Sequence, residues 1–110
     1  MTTHNMNLET KPYFDLVLNG SKTIELRLWD EKRRQIKPGD EIIFRDGERV
    51  LTVIVTGLVV AETFADLLKM IDVTKTGIPT AEKALTIMDS IYDIAKQKQN
   101  AVVGIMMKLK

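Results

Sequence analysis

Apolar and polar residues alternate through residues 23–28, where Ile24, Leu26 and Leu28 interleave with Thr23, Glu25 and Arg27. A period of two puts each set on its own face of a strand. The pattern therefore predicts a strand over Thr23–Leu28, with Trp29 at its end. Upstream the period changes. Pro12 suits the first turn of a helix, and Phe14, Val17 and Leu18 follow at i, i+3, i+4 spacing before an Asn19-Gly20 stop. A two-turn helix over 12–19 is predicted, too short to hold without tertiary packing. Met6–Leu8 is the candidate for a short strand before it.

Downstream, Lys37-Pro38-Gly39-Asp40 has the Pro-Gly centre of a type II turn, and Asp46-Gly47 signals a type I′ hairpin between strands at Glu41–Arg45 and Arg49–Val60. Gly57 is placed to bend the second of these, because Leu58, Val59 and Val60 after it are all apolar. Thr63 and Asp66 form a capping pair for a helix carrying Phe64, Leu67, Leu68 and Ile71. A last helix starts near Thr80 and runs to about Gln97 on Ala81, Ala84, Leu85, Met88, Ile91, Tyr92 and Ala95. Ile87 and Ile94 widen its apolar arc, so it packs on two surfaces or leaves a patch for a partner. Ala101–Leu109 reads as a closing strand. About five strands and three helices result: one mixed α+β domain over 1–110, a closed or nearly closed small β-barrel with helices packed around its ends.

Composition narrows the chemistry. Hydrophobic residues make up 45% and charged residues 28%, an ordinary folded balance. The absence of cysteine removes disulfides, thiolate catalysis and cysteine-based metal sites, and suits a reducing cytosol. No apolar run is long enough for a membrane span, and the N-terminal residues lack a signal-peptide layout. A cytoplasmic protein without membrane contact is expected. It is expected to be a monomer, with the apolar arc of the last helix leaving room for a weak homodimer. The one histidine, His4, falls in an N-terminus read as loose, so no metal site and no catalytic triad are expected, nor any cofactor.

The net charge of +1 gives no global pull on nucleic acid. Locally the balance differs. Between residues 22 and 37 stand Lys22, Arg27, Lys32, Arg33, Arg34 and Lys37 against Glu25, Asp30 and Glu31, an excess of three positive charges. Such a run is either a solvated turn or a phosphate-attracting patch. Glu25 and Arg27, about 6.5–7 Å apart along one strand face, can share a ligand or pair with each other. Arginine suits phosphate or a carbonyl edge. Lys22, at the strand mouth, can contact phosphate or, if neutral, act as a general base with Glu25 as its acid–base partner. Trp29 either caps the core or lines a groove in which a base stacks. The candidate ligand residues are thus Lys22, Thr23, Glu25, Arg27, Trp29 and Arg33.

Taken together, Gly20-x-Lys22-Thr23-x-Glu25-x-Arg27, the short helix before it and Ile36-Lys37-Pro38-Gly39-Asp40 after it resemble the ASCH domain family, part of the PUA-like superfamily. The likeness extends through the hairpin and the Ile91-Tyr92 helix to the closing Val102-Val103-Gly104-Ile105 strand. The resemblance implies a PUA-like barrel with a cleft between barrel and helices, lined by Lys22, Glu25 and Arg27 with Thr23 in support. Its expected partner is RNA or a modified nucleoside. One branch is similar to an amidohydrolase acting on acetylcytidine, with a lysine base, a threonine nucleophile and a loop glutamate; other members are linked to RNA cleavage. The lysine matches Lys22, but Glu25 stands at the threonine's place. Residues 74–78 contain no glutamate, and Glu82 is only a loose substitute. The resemblance therefore implies a cationic binding cleft first, and a hydrolase of such nucleosides or of RNA second.

Overall fold

Turn chemistry places the central strands. In the computed structural model, which describes residues 1–110, the Asp40 N–H donates to the Lys37 carbonyl at 3.0 Å and Gly39 has φ +93°. These are the marks of a type II turn. It leads into β3 (Glu41–Asp46), which pairs antiparallel with β4 (Arg49–Ala61). Asp46 pairs with Arg49, so the central turn residues are Gly47 and Glu48 rather than Asp46 and Gly47. Only Gly47 has positive φ, at +61°. That pattern is type II′, not the type I′ predicted, which needs positive φ at both centres. Pairing reaches Asp46 because its carboxylate meets the Arg49 guanidinium across the hairpin at 2.5 Å.

The sheet is completed by β1 (Thr3–Asn7), β2 (Ile24–Leu28) and β5 (Val102–Leu109), in the order β1-β3-β4-β5-β2. The β1–β3 pair is parallel and the rest are antiparallel. Along β4 the pairing to β5 skips from Val55 to Gly57, so Thr56 is the extra residue of a bulge at the predicted bend. Bulging increases local twist, and the sheet curls into a half-barrel. It does not close. β1 and β2 remain the two edges, and a side chain bridges them instead of a ladder: Arg27 Nη2 donates to the Asn7 carbonyl at 2.6 Å.

Helices cover both faces. On one, Phe14 and Val17 of α1 (Tyr13–Leu18) pack with Phe44, Val53, Val55, Val103 and Ile105. Leu18, predicted in this stripe, is exposed. On the other face Ile24, Leu26 and Leu28 meet Phe64 and Leu67 of α2 (Phe64–Leu67) and Met88 of α3 (Ala81–Ile91). Thr63 caps α2, accepting from the Asp66 N–H at 3.3 Å.

Four helices form, not three. The predicted last helix breaks at Tyr92, whose backbone is extended, and restarts as α4 (Ile94–Asn100). The Asp93 carboxylate causes the restart by accepting from the Lys96 N–H at 2.8 Å, a competition that apolar periodicity cannot reveal. Gln97 is fully buried at the break. Its Oε1 accepts from the Phe64 N–H at 2.9 Å, and its Nε2 donates to Asp89 Oδ1 and the Tyr92 carbonyl, both at 2.8 Å.

The N-terminal residues are not loose. His4 lies in β1, and its Nε2 stands 2.9 Å from Asp40 Oδ2. The same carboxylate accepts from the Thr2 and Lys37 N–H groups at 3.0 Å each, tying β1 to the type II turn. The His4 hydrogen bond, then the Thr2 N–H, hold the Asp40 carboxyl down at about 2, against an ordinary 3.8. A carboxyl lowered by folding stabilises the fold above its unfolded value and loses that contribution as pH falls through the folded one. The stability advantage of wild type over Asp40→Asn should therefore shrink as pH drops from 3.8 to about 2 and stay flat above 5. Urea unfolding of both proteins across this range measures it.

Candidate functional site

Gly20, with φ +87°, ends α1, and the Lys22 N–H closes the turn on the Leu16 carbonyl at 2.9 Å. The chain then enters β2 with the Lys22 side chain turned inward. A 3-10 turn, Val73–Thr76, and Gly77 lie over its stem. A Cβ at Gly77 would fall 3.5 Å from Lys22 Cδ and 3.1 Å from Leu16 Cδ1, and the residue's φ of +84° already favours glycine. Lys22 is consequently only 5% exposed. Its Nζ donates to the Ile24 and Thr76 carbonyls at 2.9 and 2.7 Å and stands 3.0 Å from Glu25 Oε1. It also lies 5.2 Å from the centre of the Tyr13 ring.

Glu25 is equally buried and carries a cation on each oxygen. Lys22 holds Oε1, while Arg27 holds Oε2 through Nε and Nη2, both at 2.7 Å. Burial pushes the Glu25 carboxyl up, but the charges and hydrogen bonds of Lys22 and Arg27 together outweigh it and leave the carboxyl below its ordinary value. Nearby, burial and then the Glu25 charge raise the Tyr13 phenol above 10, so at neutral pH it is a hydroxyl. With Nε on Glu25 and Nη2 on Glu25 and Asn7, Arg27 has one nitrogen left. Nη1 makes no hydrogen bond within the chain.

These groups border a cavity of about 300 Å³ along the free edge of β2. One side is Asn7, Leu8, Glu9 and Thr10, where β1 leaves the sheet; Tyr13, Lys22, Glu25, Leu26 and Arg27 form the floor. The opposite wall is Ile78 with Ile87, Met88, Ile91 and Tyr92 at the end of α3. Most of the lining is apolar. The charged members are two bases, Lys22 and Arg27, and two acids, Glu9 and Glu25, so the formal charge is zero. The cleft expected to be cationic is balanced, because Lys22 and Arg27 share Glu25 and Glu9 adds a second negative charge to the lining.

The six sequence candidates separate. Lys22, Glu25 and Arg27 converge here. Thr23 borders a second, smaller hollow of about 160 Å³ with Val17, Gly20 and Lys108. Trp29 packs against the core cluster of Phe44 and Val53 and does not reach the cavity. Arg33 pairs with Asp30 at 2.9 Å, and Arg34 donates to the Trp29 and Asn100 carbonyls at 2.7 and 2.9 Å. The basic run is thus largely occupied in holding its own turn and the end of α4. Glu82 is not in the lining, and residues 74–78 meet Lys22 through the Thr76 carbonyl. No pattern in the sequence marks Asn7–Thr10 or Tyr13 as lining, since only the curl of the sheet brings the end of β1 beside β2. Met88 and Tyr92 were legible as apolar helix positions, not as a cavity wall. No group of three or more His, Asp or Glu side chains is placed to hold a metal ion, and no helix is long and apolar enough to cross a membrane.

Comparison with known proteins agrees with this architecture. The profile of the ASCH domain matches residues 9–109, and the chain belongs to the ASCH domain family. The crystal structure of the hypothetical protein PH0355 is 36% identical, with a TM-score of 0.88, over 99% of this chain and all of that one. The solution structure of protein PF0455 from Pyrococcus furiosus is 34% identical, with a TM-score of 0.75, over 98% of this chain and 97% of that one. An ASCH domain from Lactobacillus crispatus shares the fold at 14% identity and a TM-score of 0.59, over 98% of this chain and 79% of that one. No curated protein matches.

Removing one partner of a buried ion cluster leaves the others uncompensated, at a cost of roughly 3–5 kcal/mol. Glu25→Gln should destabilise by about that amount, since two near-buried cations lose their only shared counter-charge. Lys22→Met should cost less, because Glu25 keeps Arg27 and the methionine fills the space of the lysine stem. Urea unfolding at pH 7 measures both. Wild type should also lose stability relative to Glu25→Gln as pH falls below 4.5, the direction set by the lowered Glu25 carboxyl.

Proposed function

We propose that this ASCH domain binds a single base, carried by a free or modified nucleoside or by an unpaired residue of RNA, in the cavity beside β2. One observation carries the reading: Arg27 is anchored by Glu25 and Asn7 with Nη1 left over, a rigid donor at the border of a mostly apolar hollow. An anchored guanidinium loses little freedom on meeting a carbonyl or phosphate oxygen, so its hydrogen bond is not offset by ordering the side chain. The volume of about 300 Å³ lies at the small end of ligand sites and suits one heterocycle better than a length of strand. Tyr13 and Tyr92 offer aromatic surface in the same hollow. Family membership favours the same ligand class, since ASCH domains are generally thought to bind RNA.

Electrostatics favour recognition of a base over grip on a phosphate chain. A lining of zero formal charge releases few counterions, so affinity should depend weakly on salt, with a log–log slope no steeper than about −1. The hydrolytic alternative has less support. Three acceptors converge on Lys22 Nζ, and a neutral amine has only two N–H groups to offer them. Both Glu25 oxygens are engaged by cations, which leaves the carboxylate poorly placed to take a proton from water.

Calorimetric titration with cytidine, uridine, adenosine, guanosine, acetylcytidine and short single-stranded RNAs tests the reading. At least one should bind, and Arg27→Gln should weaken it about tenfold, the loss of one hydrogen bond to a charged group. Absence of binding by every probe, at low and physiological salt, would remove the reading.

A further inference from the structure

The floor of the cavity contains polar groups that belong to no side chain. In β2 the odd residues turn their backbone towards β5. The Thr23 carbonyl accepts from the Met107 N–H at 2.9 Å and the Trp29 N–H donates to the Ala101 carbonyl at 3.0 Å. Between those two bonds the antiparallel register is regular, with Glu25 opposite Ile105 and Arg27 opposite Val103. In such a ladder the even residues direct N–H and C=O the other way. For β2 that way is the free edge, since no further strand pairs there. Ile24 shows it, because its carbonyl is taken by Lys22 Nζ at 2.9 Å on the cavity side.

Leu26, one step along the same edge, has no such partner. The register gives Leu26 no partner on β5, and no turn, loop or side-chain group bonds its N–H or C=O, although the residue is only 6% exposed and borders the cavity. An unpaired N–H and C=O on an edge strand are ready to pair with an incoming group, and here they open on a hollow and not on another strand. We propose that the main-chain N–H and C=O of Leu26 read the hydrogen-bonding edge of the bound base, the N–H donating to an acceptor and the C=O accepting from the donor beside it. The inference rests on the base-binding reading above and names the atoms that hold the pairing edge of the base.

The chemistry of the edge decides the occupant. In an extended residue the N–H and C=O lie on the same side of the strand and close together, as the donor and acceptor of an amide do. Every nucleobase has an adjacent donor and acceptor on its pairing edge, so one base can satisfy both groups. An added peptide strand would need several successive free pairs. Here Lys22 already closes the Ile24 carbonyl, and Leu28, which the register turns the same way, does not line the cavity, so the hollow itself offers only the Leu26 pair. A single free pair in a hollow of about 300 Å³ fits a heterocycle and not a strand. A demand for an intact pairing edge, held in the main chain, would also survive substitution of the charged trio. Arg27 then contributes affinity, and Leu26 the requirement for that edge.

Two measurements test this. In amide exchange of the free protein, the Leu26 N–H should exchange much faster than those of Glu25 and Arg27, which face β5. Equal protection of all three would overturn the inference, because the edge would then be occupied. The second is a titration of cytidine against 3-deazacytidine, uridine against 3-methyluridine, adenosine against 1-deazaadenosine and guanosine against 1-methylguanosine. The altered partner of each base that binds should lose at least about tenfold in affinity, as expected for a buried donor or acceptor left unpaired. The Leu26 amide resonance should shift on adding the parent and not the altered base. Equal binding within a pair, with the Leu26 resonance unmoved, would overturn this inference and leave the base-binding reading standing. Failure of every parent nucleoside to bind would overturn both.

Discussion

A carboxylate moved out of water without compensation costs several kcal/mol, and Glu25 is 5% exposed in the middle of an edge strand. It is tolerable there only because Lys22 takes one oxygen and Arg27 the other. Those two cations are in turn fixed by carbonyls from distant segments: Thr76 for Lys22, Asn7 for Arg27. One ion cluster therefore fastens β2 to the 3-10 turn before α3 and to the end of β1. β2 and the end of β1 form two sides of the cavity, and Ile78, just after that turn, begins the third. The shape of the cavity follows from the electrostatic requirement that Glu25 be neutralised.

The same cluster explains how an unclosed sheet holds its seam. A ladder between β1 and β2 would have paired the Leu26 backbone and filled the space now open. Arg27 spans the two strands with a single long side chain, leaving a gap wide enough for a ligand. Closure by a side chain costs the sheet the hydrogen bonds of a ladder at that edge. The apolar walls supplied by α1 and α3 cover what the missing strand pair would have covered, so little of Leu26 is exposed although its backbone is unpartnered.

Much of this fold was legible because local chemistry and tertiary structure agree. The Pro-Gly turn at 37–40, the bend at Gly57, the Thr63 cap and the alternation through residues 23–28 each specify a backbone geometry that few residues other than those present would give. Misreadings arose where a side chain settled the matter from outside its own element. Asp93 restarts a helix whose apolar periodicity runs on without interruption, and Asp46 extends a hairpin by pairing with Arg49. His4 belongs to an ordered strand because Asp40, far along the chain, receives it. The trio of Lys22, Glu25 and Arg27 was visible from spacing, but its charge balance was not. Formal counts over residues 22–37 suggested a positive patch, whereas in space Arg33 meets Asp30 and Glu9 arrives from another segment.

That balance bears on what such a site can do. A lysine with three acceptors and a carboxylate with two cations form a rigid arrangement in which each proton already has a place. Acid–base catalysis needs a group whose proton can leave and return at little cost, and in this cluster either transfer would break a buried hydrogen bond. Recognition has the opposite requirement: donors and acceptors held in position before the ligand arrives, with few rotamers left to freeze. Arg27 Nη1 and the Leu26 backbone meet it, since the first is fixed by Glu25 and Asn7 and the second belongs to a strand. The rigidity that the buried charges demand thus favours binding over turnover at this edge.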